Sequence, residues 1–211
     1  MQEVTFFVFA FTSIFVIVNP VSALLTFVSL TEGMDLRERN AAARRSVVTA
    51  CVLALVFALG GEFILRMFHI TEDNLRVAGG ALLFIVAVDM LHGKLSRESV
   101  TPEELKDASR RRDISIFPLA TPLLTGPGAI TAVIVLIHTA ERLVLKLIVL
   151  GAILATFAIA YVLFRFAERA HRLLGVTASL VITRIMGILL AAIAVNFMAE
   201  GIWNIYKAFS G

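Results

Sequence analysis

The chain has 211 residues, of which 59% are hydrophobic and 17% charged, and its formal net charge is +3. Soluble domains carry about 25% charged residues and the mean hydropathy here is +0.90, which excludes a water-soluble fold and intrinsic disorder. A single cysteine excludes a disulfide scaffold. Lys and Arg in so apolar a chain are topology signals, so nucleic-acid binding is not expected. The composition predicts an all-α polytopic membrane protein.

Six stretches reach the length of about 20 mostly apolar residues that a transmembrane helix needs. They lie at about 4–30, 46–68, 74–93, 114–138, 143–165 and 182–206. Only the segment 94–113, between the third and fourth stretches, is a long charged loop. We therefore expect one membrane domain over residues 1–211, surrounded by the lipid bilayer, with this loop at its midpoint.

Basic residues are concentrated on one side of the predicted bundle. Fourteen of the 19 Lys and Arg residues lie in the connections between spans 1 and 2, 3 and 4, and 5 and 6. Because positively charged loops stay in the cytoplasm, these three connections are predicted to be cytoplasmic and both termini extracytoplasmic. Trp203 and Tyr206, beside Lys207, fit the outer interfacial belt.

A constant shift of 107 residues aligns the two halves of the chain without gaps. Residues 19–23 then overlie 126–130. In spans 3 and 6 the rarer matches are Gly80 with Gly187 and Asp89 with Asn196. Three helices per half is an odd number, so a duplicated unit must insert with inverted topology. We therefore predict two inverted three-helix repeats, at about 1–93 and 114–211.

Two of the predicted spans contain helix-breaking residues near their middle. Span 1 carries Asn19 and Pro20, and span 4 carries Thr125, Gly126, Pro127 and Gly128. Proline removes a backbone hydrogen bond and clashes with the preceding turn, and glycine weakens the helix further. Since Asn before Pro is the order of an N-cap and a first helical position, each span is predicted to consist of two half-helices.

Inverted topology brings the starts of both second half-helices to the centre of the protein. Free N–H groups and positive dipole ends there favour an anionic group, while the carbonyl ends of the first half-helices favour a cation or an ammonium group. A small zwitterion satisfies both. The alternative is a pair of ordinary proline kinks. The hydroxyls of Ser22 and Thr125 either bind the substrate or bond back to their own helix.

Asp89 is the principal ionisable candidate inside the predicted membrane region. A carboxylate at a helix centre costs ~2.5–3.5 kcal/mol on insertion scales, so a deep one usually has a role such as proton or cation coupling. The alternative is an interfacial Asp near Lys94. The repeat pairs Asp89 with Asn196, and both are candidates for lining or coupling the transport path.

The polar residues do not favour an enzyme. No paired carboxylates and no nucleophile with a base stand at helical spacing in the predicted membrane core. The histidines have no second ligand at metal spacing, so no metal site is expected.

The two broken spans resemble the MarC family of six-helix inner-membrane proteins, also classed as neutral amino acid transporters. The matching features are Asn19 and Pro20, followed by Phe27 and residues 29–31, and the stretch FPLATPLLTGPGAI at 117–130. The resemblance covers essentially the whole chain. Family members commonly have a small residue or Gly at position 22 and a proline near position 25, where this chain has Ser22 and Leu25, which leaves the break in span 1 less well defined.

The resemblance implies a carrier of glycine, alanine and similar neutral amino acids in the inner (plasma) membrane, driven by ion coupling. In this hypothesis Asn19 and Pro20 with Ser22, and Thr125 to Gly128, form the substrate site, Asp89 and Asn196 line the path, and one repeat rocks against the other. No cofactor is expected beyond a coupling proton or sodium ion. The oligomeric state stays open. The alternatives are an exporter of drugs or other metabolites and a membrane protein that does not transport.

Overall fold

The computed structural model describes residues 2–92 and 115–210. Their backbone forms eight helical segments, which are α1 (Gln2–Val18), α2 (Pro20–Leu30), α3 (Leu36–Met67), α4 (Glu72–Leu91), α5 (Ser115–Leu124), α6 (Pro127–Thr139), α7 (Leu143–Arg165) and α8 (Ala167–Ser210). No strand occurs in these two ranges. The prediction of an all-α fold is confirmed for the part of the chain that the structure describes.

The described helices provide up to six membrane crossings. Five are apolar stretches long enough to span a bilayer: α1 with α2 (Gln2–Leu30), α3, α4, α7, and α8 from Thr177 to Ser210. The sixth consists of α5 and α6, which are bent by 57° at the break between them. The chain is therefore a multi-pass membrane protein, and the predicted charged loop 94–113 lies outside the described residues.

Two helices begin well before the predicted spans. α3 starts at Leu36 instead of near residue 46, because Asp35 caps it: the Asp35 carboxylate accepts from the Glu38 N–H at 2.7 Å, and Glu38 accepts from the Asp35 N–H at 3.4 Å. α8 starts at Ala167 instead of near residue 182 and is interrupted at Gly175, where φ is 64°. Hydropathy detects the part of a helix that crosses the membrane and misses the polar turns that extend it.

Buried side chains form two clusters. The larger joins α1, α2, α3, α5, α6 and α7, and the smaller joins α4 to α8 with contributions from α1 and α6. Among the described helices, α4 and α8 make the most extensive contact. We call the first group the four-span unit, with spans α1–α2, α3, α5–α6 and α7, and the second group the α4–α8 pair.

Close glycine contacts reveal the inverted repeat in three dimensions. A Cβ atom on Gly80 would lie 2.8 Å from the Ala194 carbonyl oxygen, and one on Gly187 would lie 3.1 Å from the Ala87 carbonyl oxygen. The shift of 107 residues converts the first contact into the second. In a two-fold interface every contact has such a counterpart, in which the two partners exchange places. The α4–α8 contact therefore lies on a pseudo-two-fold axis.

The two helices of this contact run antiparallel, as inverted topology requires. Gly80 also approaches the backbone nitrogen of Met198, and Gly187 approaches that of Leu91. Asp73 precedes Gly80 on α4, and its partner Asn204 follows Met198 on α8. The Asn204 amide donates to the Asp73 carboxylate at 2.9 Å. The prediction that spans 3 and 6 are equivalent and inverted is confirmed by this geometry.

Each half packs mainly against the other half. α1 contacts α6, α7 and α8, while α3 contacts α5, α6 and α7. The α1–α7 contact and the α5–α3 contact are equivalent under the two-fold axis. The repeats are therefore interleaved and share one core.

Candidate functional site

The first span breaks at Asn19. This residue has left-handed backbone angles, with φ 44° and ψ 62°, and Pro20 is the first residue of α2. The Asn19 side-chain oxygen accepts from the Ser22 N–H at 3.3 Å, so it caps α2. Asparagine is one of the few residues that tolerate this backbone region. The predicted break and cap are both present in this structure.

The amide nitrogen of the Asn19 side chain contacts the α4–α8 pair. Its Nδ2 atom donates to the Met90 sulfur at 3.9 Å, and the side chain is buried. Both polar groups of the amide therefore have protein partners in this structure. Asn19 ties the break in the first span to α4.

The second break has a different form. α5 is a wide, π-helical segment with extended residues at Phe117 and Thr121, each followed by a cis peptide bond to proline. A residue before proline is disfavoured in helical geometry, so the prolines at 118 and 122 make this half-span irregular. The sequence interpretation placed the irregularity only at 125–128.

α6 begins without a side-chain cap. Gly126 is the extended N-cap residue, Pro127 occupies the first helical position, and the first intrahelical bond runs from the Ile130 N–H to the Gly126 carbonyl at 3.0 Å. The N–H groups of Gly128 and Ala129 therefore have no acceptor within the helix. The start of α2 is capped by Asn19, whereas the start of α6 is open.

A cavity of about 60 Å³ lies at the start of α6. One side of its wall is formed by residues 122–124 and 126–129, and the other by four apolar residues, Ile17, Leu82, Leu83 and Val86. Because a buried water occupies roughly 10–15 Å³ by this type of measure, the cavity has room for a few waters or a very small ligand.

Two glycines in this wall lie very close to their neighbours. A Cβ atom on Gly128 would lie 2.5 Å from Cδ2 of Leu83, and one on Gly126 would lie 2.7 Å from the Pro122 carbonyl oxygen. The backbone contact leaves no room for a side chain at position 126, whereas a side chain at position 128 would force the Leu83 side chain to shift. The missing side chain at position 128 lets the backbone of α6 approach α4 closely.

Only some of the predicted substrate residues lie at the cavity. Gly126, Pro127 and Gly128 line the cavity, whereas Asn19, Pro20, Ser22 and Thr125 are not among its lining residues. Thr125 is fully buried, and its hydroxyl donates to the Ala50 carbonyl at 2.9 Å. The apolar wall from α4 carried no recognisable signal in the sequence, because leucine and valine are common in every span.

Asp89 and Asn196 lie apart from the cavity and from each other. Asp89 is half-buried two residues before the end of α4, and exposed Asn196 donates to the Glu200 carboxylate at 3.0 Å. Since α4 and α8 are antiparallel, Asp89 is level with Gly187 and Asn196 with Gly80, roughly 13 Å apart at 1.5 Å per residue. Their role in a transport path stays a prediction.

Comparison with known proteins gives the family. A family model described as MarC family integral membrane protein matches residues 4–206. The chain belongs to the MarC family. Among its MarC relatives, UPF0056 membrane protein MJ1677 of Methanocaldococcus jannaschii is 38% identical, over 95% of this chain and 98% of the relative.

Bacterial relatives are equally complete. UPF0056 membrane protein YvbG of Bacillus subtilis is 33% identical over 98% of both chains, and YhcE of Escherichia coli is 35% identical over 93% of this chain and 91% of the relative. No solved structure matches the chain. The relatives are named only as membrane proteins, so family membership establishes a multi-pass MarC protein and leaves its activity to the site.

Proposed function

We propose that this MarC protein is a secondary transporter of small neutral amino acids of the glycine and alanine type. The observation that carries the proposal is the cavity at the start of α6, where the N–H groups of Gly128 and Ala129 lack helical partners. Free N–H groups and the positive end of the helix dipole favour a carboxylate. Irregular backbone within a membrane is tolerated where it lines such a cavity.

The other side of the cavity suits the rest of a small zwitterion. Pro20 has no N–H, so it cannot supply the hydrogen bond that a continuous helix would give to the Val16 carbonyl, and α1 leaves an acceptor beside the cavity residue Ile17. The wall of Leu82, Leu83 and Val86 is apolar, which disfavours a charged side chain. The cavity volume restricts the ligand to a very small side chain.

Energy coupling and orientation form part of the same proposal. A proton or sodium ion drives transport, with Asp89 as the candidate coupling group, and no ATP-binding motif is present in the sequence. The protein lies in the cell membrane with both termini extracytoplasmic, as the distribution of Lys and Arg favours.

The test is uptake by purified protein in liposomes. Labelled glycine and alanine are followed under imposed proton and sodium gradients, with wild type compared with Gly128→Ala. The new methyl group meets Leu83, so uptake is expected to fall at least tenfold. Gly151→Ala is the matched control, because a Cβ atom there meets nothing within 4 Å.

A second substitution separates lost space from lost folding. Leu83→Ala removes the side chain that the Gly128→Ala methyl would meet, so the double variant should regain uptake, and Leu83→Ala alone should favour larger neutral amino acids. If folded wild-type protein accumulates neither amino acid under any gradient, the substrate assignment is wrong. If Asp89→Asn keeps the ion dependence, Asp89 is not the coupling residue.

A larger cavity favours a second candidate function, the export of amphipathic compounds. It measures about 450 Å³ and lies between the ends of α3, α6 and α7. Its inner wall is apolar, its mouth is flanked by exposed leucines at 59, 143 and 147, and its charged residues are Glu62, His138, Glu141 and Lys146. A carrier of this class would move amphipathic dyes in the same liposomes and leave glycine and alanine untouched.

A further inference from the structure

The small cavity lies on the boundary between the two packing units. Leu82, Leu83 and Val86 belong to the α4–α8 pair, whereas Ile17 and the lining residues of 122–129 belong to the four-span unit. A displacement of one unit against the other would open or close this cavity. Rocking of the two sequence repeats would instead divide α4 from α8, the most extensive contact among the described helices.

Polar contacts cross this boundary near the start of α4. The Arg76 guanidinium donates from Nη2 to the Thr139 hydroxyl at 2.7 Å, and Glu72 is paired with His138. Glu72 and Arg76 lie on α4, and His138 and Thr139 form the last turn of α6. We call these four residues the α4–α6 latch.

Arg76 is held in place from within the α4–α8 pair. Its Nη1 atom lies 3.7 Å from the Asp73 carboxylate and 3.8 Å from that of Glu200, and its side chain is 11% exposed. Asp73 also accepts a hydrogen bond from Asn204. Because little water reaches the guanidinium, losing its hydrogen bond to Thr139 without a replacement partner would cost free energy.

The equivalent positions at the other end of the boundary carry no ion pair. The shift of 107 residues replaces Glu72 by Ser179 and Arg76 by Thr183 on α8, which packs against α2. Both residues are buried, and neither hydroxyl has a hydrogen-bond partner. The pseudo-two-fold axis thus relates charged groups in the α4–α6 contact to small hydroxyl side chains in the α2–α8 contact.

We infer that the α4–α8 pair moves as one body against the four-span unit and that the α4–α6 latch is the gate at one membrane face. The inference rests on the proposed carrier function, because a gate has a purpose only if substrate passes. Release of Glu72 and Arg76 from α6 opens the path to the cavity from the latch end. At the opposite end the equivalent positions have no ion pair to break, and the Arg39–Glu168 pair there joins α3 to the first turn of α8, before its interruption at Gly175.

Thr131 provides a readout of opening that needs no substrate. It lies on α6 between the cavity and the latch, is 5% exposed, and would be 1.9 Å at its Cγ2 atom from a Cβ on Gly79 of α4. In a Cys51→Ala background, Thr131→Cys is labelled with a water-soluble maleimide. Glu72→Gln with Arg76→Gln should raise the labelling rate at least tenfold.

The control for this measurement is an ion pair that does not cross the boundary. Glu62 and Arg66 pair within α3 near the same end of the molecule, so Glu62→Gln with Arg66→Gln should leave the labelling rate unchanged. An unchanged rate in the latch variant, with normal transport, overturns the gate and spares the carrier. Increased labelling in a protein that moves neither glycine nor alanine keeps the gate and overturns the substrate assignment.

Cross-linking tests whether the α4–α8 pair moves as one body. A short bifunctional thiol reagent joins Arg76→Cys to Thr139→Cys across the boundary, or Asp73→Cys to Asn204→Cys within the pair. Both native pairs are hydrogen-bonded through their side chains, at 2.7 and 2.9 Å. Compared with the same variant before cross-linking, the first cross-link should abolish uptake until it is cleaved, and the second should leave uptake within twofold.

Two outcomes would overturn this part of the inference. Full uptake with α4 cross-linked to α6 means that these helices do not separate at the latch. Loss of uptake with α4 cross-linked to α8 means that the pair does not move as a single body.

Discussion

Asn19 meets two separate requirements of the break in the first span. The backbone needs a residue that tolerates φ 44°, and the first turn of α2 needs an acceptor for the Ser22 N–H. Asparagine provides both, whereas glycine provides only the first and alanine neither. The substitutions at this position therefore separate the backbone requirement from the cap.

Asn19→Ala is expected to lower the free energy of unfolding by about 2–3 kcal/mol, from the lost cap and the left-handed backbone of a residue with a Cβ atom. Asn19→Gly should cost roughly 0.5 kcal/mol, since glycine is nearly as good an N-cap. Thermal unfolding of purified protein in detergent measures both. Equal losses for the two variants would show that the left-handed backbone is not under strain at this position.

Thr125 was predicted to bind substrate, and its contacts support a structural role. The hydroxyl joins the break in the fourth span to the Ala50 carbonyl of α3 and is fully buried. Thr125→Val should therefore lower stability by about 1 kcal/mol through the lost hydrogen bond, with the KM for uptake unchanged. A raised KM at unchanged stability would instead place Thr125 at the substrate.

At the scale of helices, local signals and long-range signals differ in what they predict. The six spans and both breaks follow from apolar length, Asn19–Pro20 and Gly126–Pro127, all local features of the chain. The capping box of Asp35 and Glu38 is a local feature too, yet hydropathy alone places the start of this span near residue 46. The irregular shape of α5 also follows from local features, the prolines at 118 and 122, whereas the apolar wall at Leu83 depends on packing between distant helices, which periodicity does not reveal.

The α4–α8 contact depends on the absence of side chains at its glycines. A methyl group on Gly80 would lie 2.8 Å from the backbone oxygen of Ala194, and one on Gly187 would meet its nearest backbone atom at 3.1 Å. Gly80→Ala is expected to destabilise by about 1–3 kcal/mol because the helices must move apart, and Gly187→Ala should cost less.

Gly151→Ala is the matched control for these substitutions. Its Cβ atom meets nothing within 4 Å, so the higher helix propensity of alanine should stabilise the protein by roughly 0.5–1 kcal/mol. Thermal unfolding in detergent compares the stabilities of the three variants, Gly80→Ala, Gly187→Ala and Gly151→Ala. If Gly80→Ala proved as stable as Gly151→Ala, the close approach of α4 and α8 would not contribute to stability.

At the scale of the molecule, the sequence repeat predicts two equivalent breaks, and the structure makes them unequal. The start of α2 is satisfied by Asn19, whereas the start of α6 remains open beside the cavity. The same inequality appears along the boundary, where Glu72 and Arg76 correspond to Ser179 and Thr183. Equivalent positions carry different side chains. The two-fold axis therefore sets the arrangement of the helices, and the differences between equivalent residues set the polar contacts at each end.

The interleaved core leads to a prediction about the separate halves. Because α1 contacts α6, α7 and α8, and α3 contacts α5, α6 and α7, fragments 1–93 and 114–211 bury most of their apolar contact surface against each other. Each fragment expressed alone should be aggregated or degraded. Expressed together, the two should copurify and unfold in one cooperative thermal transition, since the connection removed lies between the repeats. A monodisperse, cooperatively unfolding fragment 1–93 would show that the first repeat folds by itself, and the shared core would then form by docking of two preformed units.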